Sequence, residues 1–416
     1  MKLLSNPVSR LFKNQEQFLL TQFIQFLNNE MIPMEIVDSQ GKTYSTTHKD
    51  IRHTLVVRDK RFVKALLSPD ALSFGEAYIN GYFEVIGNIK DLYERVSDSL
   101  LNTNRPKRFL KYLTPFFMNP KSEEQKNIEY HYDVNASFYQ KFLGKTMGYT
   151  CGYYPSTDTS MDQAQNEKMD IICRKIRLKP DEQLLDIGCG WGNFAVFAAK
   201  HYQANVTGIT LSQEQKEFAD NWARQENVAD RVKIKLMNYR DLGQKIYDKI
   251  TCVGMSEHVG QRHMSGFFDR VYQCLAPDGL FLQHTITTHT GSKKTQENTF
   301  LDKYMFPGGQ LLYQHELIQK AARSGFEMLS AENLRPHYVR TLQDWVRQME
   351  SKKDELLKLV SEHVYRIYHV FFIGSLVSFK KQEIALFQNL FYKKPDVGNT
   401  EDYFISLYST KEKRLA

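Results

Sequence analysis

The sequence has little cysteine, little proline and no long apolar run. Its 416 residues include 5 Cys, 12 Pro and 22 Gly. An odd number of cysteines at irregular spacings excludes a disulfide framework and favours reduced thiols in a cytoplasm. The most apolar uncharged window, residues 367–379, is shorter than the roughly 20 residues that cross a bilayer. We therefore expect no transmembrane helix, and residues 5–13 are too polar for a signal peptide.

What is present is an ordinary globular composition with a mildly basic balance. Hydrophobic residues make up 42% of the chain and charged residues 25%, which excludes disorder as the main state. The net charge of +7 allows attraction to the phosphates of nucleic acid, lipid headgroups or small ligands. It favours none of these over the others, and the charge could equally serve solubility alone.

The first third of the chain predicts a small α+β domain. Its predicted elements are a helix over 7–31 with Phe18, Phe23, Phe26 and Leu27 on one face, strands over 34–38, 42–46 and 55–57, and a helical segment over 66–82. Basic, loop-like residues 102–122 follow. We predict an N-terminal domain with its linker over 1–118 and a catalytic domain over 119–416.

From residue 183 onwards, short apolar strands alternate with helices. The predicted strands cover 184–187, 205–209, 232–237, 249–255 and 280–286, and the helices cover 193–201, 213–226, 263–275 and 313–324. This alternation predicts a doubly wound, mostly parallel α/β sheet. Residues 342–391 are predicted to be mostly helical and bent near Gly374. They either pack as a bundle against the sheet domain or form a lid over an apolar substrate.

A glycine loop, Leu185-Asp-Ile-Gly-Cys-Gly-Trp-Gly192, follows the first of these strands and opens a helix. Its glycines permit a tight turn and a close approach of a ligand to main-chain atoms. The G-x-G-x-G pattern alone fits a dinucleotide loop or a plain turn, and its spacing counts against a nicotinamide site. Asp186 before the first glycine makes the pattern more specific.

The loop resembles the first motif of the S-adenosylmethionine-dependent methyltransferases. The resemblance implies their class I fold and a methyl-sulfonium cofactor whose aminoacyl part lies along the loop. Members of this family usually carry an acidic residue after the second strand, whereas this chain has Gly208-Ile-Thr-Leu-Ser-Gln-Glu-Gln215. Gln215 therefore either contacts the cofactor or completes an S-x-x-Q capping box with Ser212, or does both.

Five further segments resemble the cyclopropane fatty acid synthases and the related mycolic acid cyclopropane synthases in order and spacing. They are His131-Tyr-Asp-Val134, Tyr149-Thr-Cys-Gly-Tyr153, Gly254-Met-Ser-Glu-His-Val-Gly260, Leu282-Gln-His-Thr-Ile286 and Arg335-Pro-His-Tyr-Val-Arg-Thr-Leu342. A looser match over residues 74–81 is similar to the branch that modifies membrane phospholipids. The resemblance implies methylene transfer from S-adenosylmethionine to a cis double bond of an acyl chain, with bound bicarbonate as the base.

Carried over residue by residue, the family's sites fall on positions present in this chain. The bicarbonate pocket would consist of Glu257, His284, Tyr338 and backbone groups of Cys151 and Ile286. The cofactor site would consist of Tyr149, Thr150, Asp186, Gly188, Gly190, Thr210, Leu211, Gln215, Tyr239 and Arg240. Asn238 stands where relatives often have Asp, which removes a charge near the adenine-side contacts. No metal site is predicted.

Cys151 could be read as a nucleophile, but no adjacent base is evident, so we interpret it as a group lining the pocket. Glu257 and His284 are expected at the carboxyl edge of the sheet, where ligands of open α/β sheets gather. Tyr338 is expected to reach the pocket from outside the sheet.

The substrate implied by the resemblance lies in a membrane. Residues 1–120 carry 16 Lys/Arg and 12 Asp/Glu, and two basic clusters stand out. They are Arg58, Lys60, Arg61 and Lys64, and Arg105, Lys107, Arg108 and Lys111, with Phe109, Tyr112, Leu113, Phe116 and Phe117 beside the second cluster. We expect either a solvated surface or reversible binding to an anionic membrane.

The expected partners and location follow from that reading. We expect a cytoplasmic protein at the inner face of the cell membrane, a membrane phospholipid with unsaturated chains as substrate, and a homodimer. Nucleic acid is not an expected partner, because no compact motif for it is evident. Two alternatives stay open: a methyltransferase acting on another lipid, a small molecule or nucleic acid, and a non-catalytic lipid-binding protein.

Overall fold

The computed structural model describes residues 7–67, 71–101, 134–288, 300–305 and 311–395, and the chain divides into two compact units. The first unit comprises Met1–Val134, Thr295–Pro307 and Trp345–Ser378. The second comprises Asn135–Lys294, Gly308–Asp344 and Phe379–Ala416. The predicted boundary after residue 118 lies outside the described residues and stays a prediction, as does the placement of the basic cluster from Arg105 to Lys111.

The elements are numbered in chain order over the described residues. The helices are α1 (Pro7–Asn29), α2 (Phe62–Leu67), α3 (Ala71–Ile79), α4 (Ile89–Leu101), α5 (Ala136–Leu143), α6 (Met161–Lys175), α7 (Asn193–Tyr202), α8 (Gln213–Gln225), α9 (Met264–Cys274), α10 (Phe300–Tyr304), α11 (Gln314–Arg323), α12 (Arg335–Ser351), α13 (Lys353–Leu356) and α14 (Glu362–Lys380). The strands are β1 (Glu35–Val37), β2 (Thr43–Ser45), β3 (Thr54–Val57), β4 (Phe83–Ile86), β5 (Gln183–Ile187), β6 (Asn205–Thr210), β7 (Val232–Leu236), β8 (Tyr247–Val253), β9 (Leu275–Thr288), β10 (Glu327–Asn333) and β11 (Ile384–Tyr392).

The first unit contains a four-stranded sheet in the order β2-β1-β3-β4, with helices. The predicted first helix and three strands are confirmed. Phe23 and Leu27 are buried, whereas Phe18 is 55% exposed, so its predicted place on the buried face is wrong. Phe18 lies five residues before Phe23, and that spacing turns it away from a stripe built on steps of three and four residues.

The second unit contains a seven-stranded sheet in the order β10-β11-β9-β8-β5-β6-β7. The strands from β7 to β9 pair in parallel, and β11 and β10 extend the sheet antiparallel beyond β9. Leu184 belongs to the core on one face and Leu185 to the core on the other, as the alternation of side chains along a strand requires. The predicted doubly wound, mostly parallel fold is confirmed.

The C-terminal region differs from its prediction in two places. Gly374 lies inside α14, which continues through it, and residues 384–392 form a strand where helix was predicted. β11 is buried over almost its whole length, so its residues do not alternate between buried and exposed. An apolar run without alternation is ambiguous between a buried strand and a helix.

None of the helices in the described ranges has the length and apolar character that a membrane span needs.

Candidate active site

The glycine loop joins β5 to α7 at the carboxyl end of the parallel strands. Gly188, Gly190 and Gly192 all have positive φ, at 77°, 54° and 84°. The backbone amides of Gly188 and Cys189 donate to the carbonyl oxygen of Ile209, at 3.0 and 2.9 Å. These two bonds fix the loop against the end of β6.

The loop leaves open space at one of its glycines. A Cβ at Gly188 would lie 2.4 Å from Met255 Cγ, whereas a Cβ at Gly190 would meet nothing within 4 Å. The main chain is therefore closely packed against Met255 at Gly188, whereas at Gly190 it is open to a ligand. This arrangement fits a ligand lying along the backbone, as the S-adenosylmethionine implied by the sequence would do.

The end of β6 lies beside the loop, and three predicted cofactor residues lie there or shortly after it: Thr210 in β6, Leu211 after it and Gln215 on α8. Thr210 Oγ1 donates to Gln215 Oε1 at 2.7 Å, and Leu211 is 72% exposed. Ser212 caps α8 by accepting from the amide of Gln215, which confirms one half of the predicted capping box, whereas the other half is wrong. The Gln215 side chain bonds to Thr210 and not to the Ser212 amide, which itself donates to Thr210 Oγ1 at 3.2 Å. Gln215 is thus held facing Thr210.

Tyr239 and Arg240 lie on a short 3₁₀ turn after β7, on the far side of β6. Asn238 Oδ1 accepts from the amide of Arg240 at 3.0 Å and so begins the turn. The guanidinium of Arg240 lies over the Tyr239 ring, 4.9 Å from its centroid. Asn238 therefore orders this segment through its carbonyl oxygen, a role that does not need the charge of an aspartate.

The segment Tyr149–Tyr153 is tied to α12, the helix that carries Tyr338. The Gly152 amide donates to Thr341 Oγ1 at 3.0 Å. The Tyr154 hydroxyl donates to Asp344 Oδ2 at 2.8 Å. These bonds bring the predicted residues Cys151 and Tyr338, which are far apart in sequence, into the same region.

A buried lysine that sequence reasoning missed binds the predicted cofactor residue Thr150. Lys168 on α6 is 2% exposed and donates to Thr150 Oγ1 at 2.7 Å and to Gln165 Oε1 at 2.6 Å. Burial lowers the pKa of Lys168 to about 8, although Cys151 and Asp186 oppose this. A single lysine in a helical stretch gives no sequence signal that it is buried.

Asp186, the residue before the glycine loop, is also buried. Thr251 Oγ1 donates to Asp186 Oδ1 at 3.0 Å. Burial raises the pKa of Asp186 to about 7, against the lowering effects of Thr251 and Lys168. Asp186 is 2% exposed, so it lies in the interior beneath the loop and not on the surface that a ligand would contact.

Glu257 lies on a 3₁₀ turn just beyond β8 and reaches across to β9. Its Oε1 accepts from the backbone amide of Ile286 at 2.7 Å. Its Oε2 is enclosed and has no hydrogen-bond partner in the described part of the chain. Burial raises the pKa of Glu257 to about 7, although the Ile286 amide, its own backbone amide and the Thr285 hydroxyl lower it. The predicted contact of the Ile286 amide with an anion stays a prediction, since Glu257 occupies that amide here.

His284 lies within β9, level with Val253, the last residue of β8. It is fully buried, and burial lowers the pKa of His284 well below its usual range. Its Nε2 is a second enclosed atom without a partner among the residues described. β9 continues beyond the other parallel strands, which explains how a residue inside a strand reaches the carboxyl edge of the sheet.

Tyr338 on α12 packs against Phe379, with ring centroids 4.6 Å apart. Burial raises the pKa of Tyr338, and Cys151 and Glu257 add to the shift. The hydroxyl therefore stays protonated and can donate. Leu334 links Tyr338 to Cys151, because its carbonyl oxygen accepts from the Tyr338 amide at 3.1 Å and lies 3.9 Å from Cys151 Sγ.

Cys151 is fully buried, and its Sγ donates to the carbonyl oxygen of Gly152 at 3.1 Å. Burial raises the pKa of the Cys151 thiol, so the nucleophilic thiolate is not populated at neutral pH. We expect Cys151→Ser to retain kcat within a few-fold of the wild type in a methyl-transfer assay. Complete loss of activity, with a substrate adduct trapped on the wild-type sulfur, would contradict this expectation.

Comparison with known proteins assigns the chain to a family. The family described as mycolic acid cyclopropane synthetase matches residues 119–389, and a domain of unknown function matches residues 19–105.

Two curated relatives and one solved structure illustrate the similarity. A probable fatty acid methyltransferase from Pseudomonas putida is 34% identical, over 82% of this chain and 87% of its own length. The cyclopropane-fatty-acyl-phospholipid synthase of Escherichia coli K12 is 32% identical, over 82% and 88%. The crystal structure of the mycolic acid cyclopropane synthase CmaA1 complexed with SAH and CTAB superimposes with a TM-score of 0.61 at 29% identity, covering 64% of this chain and 97% of that one. The chain belongs to the mycolic acid cyclopropane synthetase family of S-adenosylmethionine-dependent methyltransferases.

Proposed function

We propose that this protein is a cyclopropane synthase acting on cis double bonds in the acyl chains of membrane phospholipids, with bicarbonate as the base. The observation that carries the proposal is that Glu257 Oε2 and His284 Nε2 are both enclosed and have no partner among the described residues, while Glu257 bonds to the amide of Ile286, two residues beyond His284 on β9. Buried polar atoms in folded proteins normally have partners, and a pair without any fits a bound polar guest. The name of the Escherichia coli relative supports a phospholipid substrate.

The side chains around these atoms match the groups of a hydrogen carbonate ion. Glu257 can accept a hydrogen bond from the hydroxyl of the ion, while Tyr338 can donate to its oxygens. Since burial raises the pKa of Glu257 to about 7, its carboxyl titrates near neutral pH, where a proton can be exchanged with the ion. A bound anion can thus serve as a base close to the reacting carbon without a mobile carboxylate of the protein approaching it.

The glycine loop and the neighbouring strand ends would hold S-adenosylmethionine, which when bound supplies an electrophilic methyl group. Gly188 and Gly190 would approach it with main-chain atoms, and Thr210, Gln215 and Tyr239 would line its remaining length. An alkene is a weak nucleophile, so the contribution of these residues is to position the two reactants and exclude water. Aromatic faces such as that of Tyr338 can stabilise a passing cation.

A labelling experiment tests this function. Purified protein is incubated with S-adenosylmethionine carrying a deuterated methyl group and with vesicles of phospholipid whose chains contain a cis double bond. We expect lipid mass spectra to show the gain of one methylene per double bond, with one of the three deuterium atoms lost to the base. No lipid product, with label transferred in parallel incubations with RNA or with a metabolite extract, would contradict the proposal.

The same experiment examines a second candidate, a methyltransferase that leaves a methyl branch on the chain. The name of the Pseudomonas putida relative, a probable fatty acid methyltransferase, favours it. When the hydrogen is lost from the acyl chain, the product is a methyl-branched alkene that keeps all three deuterium atoms. The label count therefore separates ring closure from this route to a methyl branch.

We also propose that the first unit binds an anionic membrane reversibly. Large apolar side chains are exposed at the end of its sheet where β1 and β3 begin and β4 ends: Met31 by 74%, Ile51 by 39% and Ile86 by 63%. Lys49 and Arg52 are exposed on either side of Ile51. In the predicted basic cluster, Arg58 and Lys60 are exposed at the opposite end of β3, and Arg61 is paired with Asp59 at 2.7 Å. Apolar side chains beside cations are typical of interfacial binding.

Vesicle sedimentation tests the membrane proposal. We expect the protein to sediment with anionic vesicles more than with zwitterionic ones, and the double substitution Met31→Ser and Ile86→Ser to weaken binding to both. Equal sedimentation with the two vesicle types would contradict the electrostatic part of the proposal. The homodimer and the location at the inner face of the cell membrane stay predictions.

A further inference from the structure

The side chain beside His284 on the neighbouring strand belongs to neither predicted site. Gln388 lies directly across from His284 in the antiparallel pairing of β11 with β9. Gln388 is 1% exposed, and its Nε2 lies 3.2 Å from His284 Nδ1. Because of this contact, Gln388 determines whether Nδ1 of His284 donates or accepts a hydrogen bond.

The orientation of the Gln388 amide follows from its other partner. Lys175 Nζ lies 2.6 Å from Gln388 Oε1, and Lys175 also forms an ion pair with Glu332. An ammonium group has three donors and no acceptor, so the amide atom that faces it must be the carbonyl oxygen. The NH₂ group of Gln388 therefore faces the imidazole.

A donor at this position determines which nitrogen of His284 carries the proton. Nδ1 must accept from the Gln388 amide, so a neutral ring carries its single proton on Nε2. Burial keeps the ring neutral by lowering the pKa of His284. The outer nitrogen, which is enclosed and unpartnered among the described residues, is consequently an N–H donor.

We propose that Lys175 and Gln388 are positioning residues that hold His284 in its Nε2–H tautomer, so that it donates one hydrogen bond to the anion bound beside Glu257. The presence and identity of that anion rest on the proposed function, whereas the tautomer of His284 does not. Glu257 would accept from the ion on one side while His284 donates on the other, which fixes the orientation of the ion. With the other tautomer, His284 would present a lone pair to the ion, and the contact would become repulsive.

Gln388→Glu is the sharpest variant, because it preserves shape and reverses the hydrogen bond. A carboxylate at this position still pairs with Lys175 but can only accept, so it requires a proton on Nδ1 of His284. Holding a catalytic histidine in the wrong tautomer lowers kcat by about 10⁴-fold in serine proteases. We expect a loss of about 10²-fold or more at about pH 8, where an ordinary imidazole is neutral.

Asn389→Asp provides the matched control on the same strand. Asn389 is the next residue of β11, is fully buried, and bonds to Gln283 and Gln314 instead of His284. The substitution buries the same new carboxylate one position away on the opposite face of the sheet. We expect it to leave the tautomer of His284 unchanged and kcat within about threefold of the wild type, so it accounts for any general effect of a buried charge.

The decisive readout is the nitrogen NMR spectrum of histidine-labelled protein without cofactor, with the His284 signals assigned from their absence in His284→Gln. We expect a protonated Nε2 in the wild type and a protonated Nδ1 in Gln388→Glu, with the KM for S-adenosylmethionine unchanged. A protonated Nδ1 in the wild type would overturn the inference, and so would an altered tautomer in Gln388→Glu with unchanged kcat.

If Gln388→Glu does not fold, the wild-type spectrum still shows which nitrogen of His284 carries the proton. If no phospholipid is converted, the proposed function fails while the spectrum still tests the tautomer.

Discussion

Replacing Glu257 with glutamine is expected to lower kcat by about 100-fold or more while the affinity for S-adenosylmethionine changes little. Glutamine preserves the carbonyl oxygen that accepts from the Ile286 amide, so the local backbone is retained. It places an NH₂ group where the enclosed Oε2 stands and removes the acceptor that we propose for the anion. Losses of about 10²–10⁴-fold are typical when a group that takes part in proton transfer is removed. Steady-state kinetics and equilibrium binding of the cofactor measure the two effects separately.

The pH dependence of stability shows whether the lost activity reflects unfolding. The folded-state pKa of Glu257, about 7, lies above its ordinary value of 4.5, so the folded protein binds this proton more tightly than the unfolded chain. The contribution of the carboxyl to the free energy of unfolding is therefore largest at low pH and is lost as the pH rises through about 7. Glutamine does not ionise, so at about pH 8 the variant is expected to melt at a higher temperature than the wild type.

Glu316→Gln is the control for this variant. Glu316 Oε2 accepts from the Tyr313 amide at 3.1 Å at the start of α11, so it too is a carboxylate bonded to a backbone amide. It belongs to neither predicted site, and we expect its kcat to stay within about twofold of the wild type. Equal losses in the two variants, or an undiminished kcat in Glu257→Gln, would contradict the role proposed for Glu257.

The parallel half of the sheet could be predicted from sequence because its signals are local. Strands β5 to β8 are short apolar runs separated by helices with caps such as Ser212, and Gly188 and Gly190 punctuate the first turn. β11 could not be predicted in the same way. Its residues do not alternate between buried and exposed, because almost the whole strand lies in the interior, and that environment is known only once the sheet is assembled.

The site residues also fall into those that local sequence motifs predict and those that only tertiary contacts reveal. Glu257, His284 and Tyr338 were found because their motifs resemble those of a known family. Lys168 and Gln388 carry no such signal, since their importance comes from partners distant in sequence. Lys168 lies 18 residues from Thr150, and Gln388 lies 104 residues from His284. Polar residues that support a site from behind are defined by tertiary contacts, and composition or periodicity does not reveal them.

Gly188→Ala is expected both to destabilise the protein and to weaken cofactor binding strongly. The backbone at Gly188 has φ of 77°, which costs a residue with a side chain about 1–2 kcal/mol. Its new methyl group would also lie 2.4 Å from Met255 Cγ and 2.5 Å from Met255 Cβ, and overpacking of this kind costs about 1–3 kcal/mol. We expect the free energy of unfolding to fall by about 2–5 kcal/mol in denaturant titrations. The affinity for S-adenosylmethionine is expected to fall by about 100-fold or more, because Met255 or the loop must move.

Gly190→Ala, two residues further along the same loop, separates the two effects. Its φ of 54° brings a similar backbone penalty, but its methyl group would meet nothing within 4 Å, so the fold should lose only about 1–2 kcal/mol. The methyl group would enter the space in which we propose that the cofactor lies against the main chain. We therefore expect cofactor affinity to fall at least tenfold in a protein that remains well folded. Wild-type affinity in Gly190→Ala would place the cofactor elsewhere, because a ligand that touches this stretch of backbone cannot tolerate a side chain there.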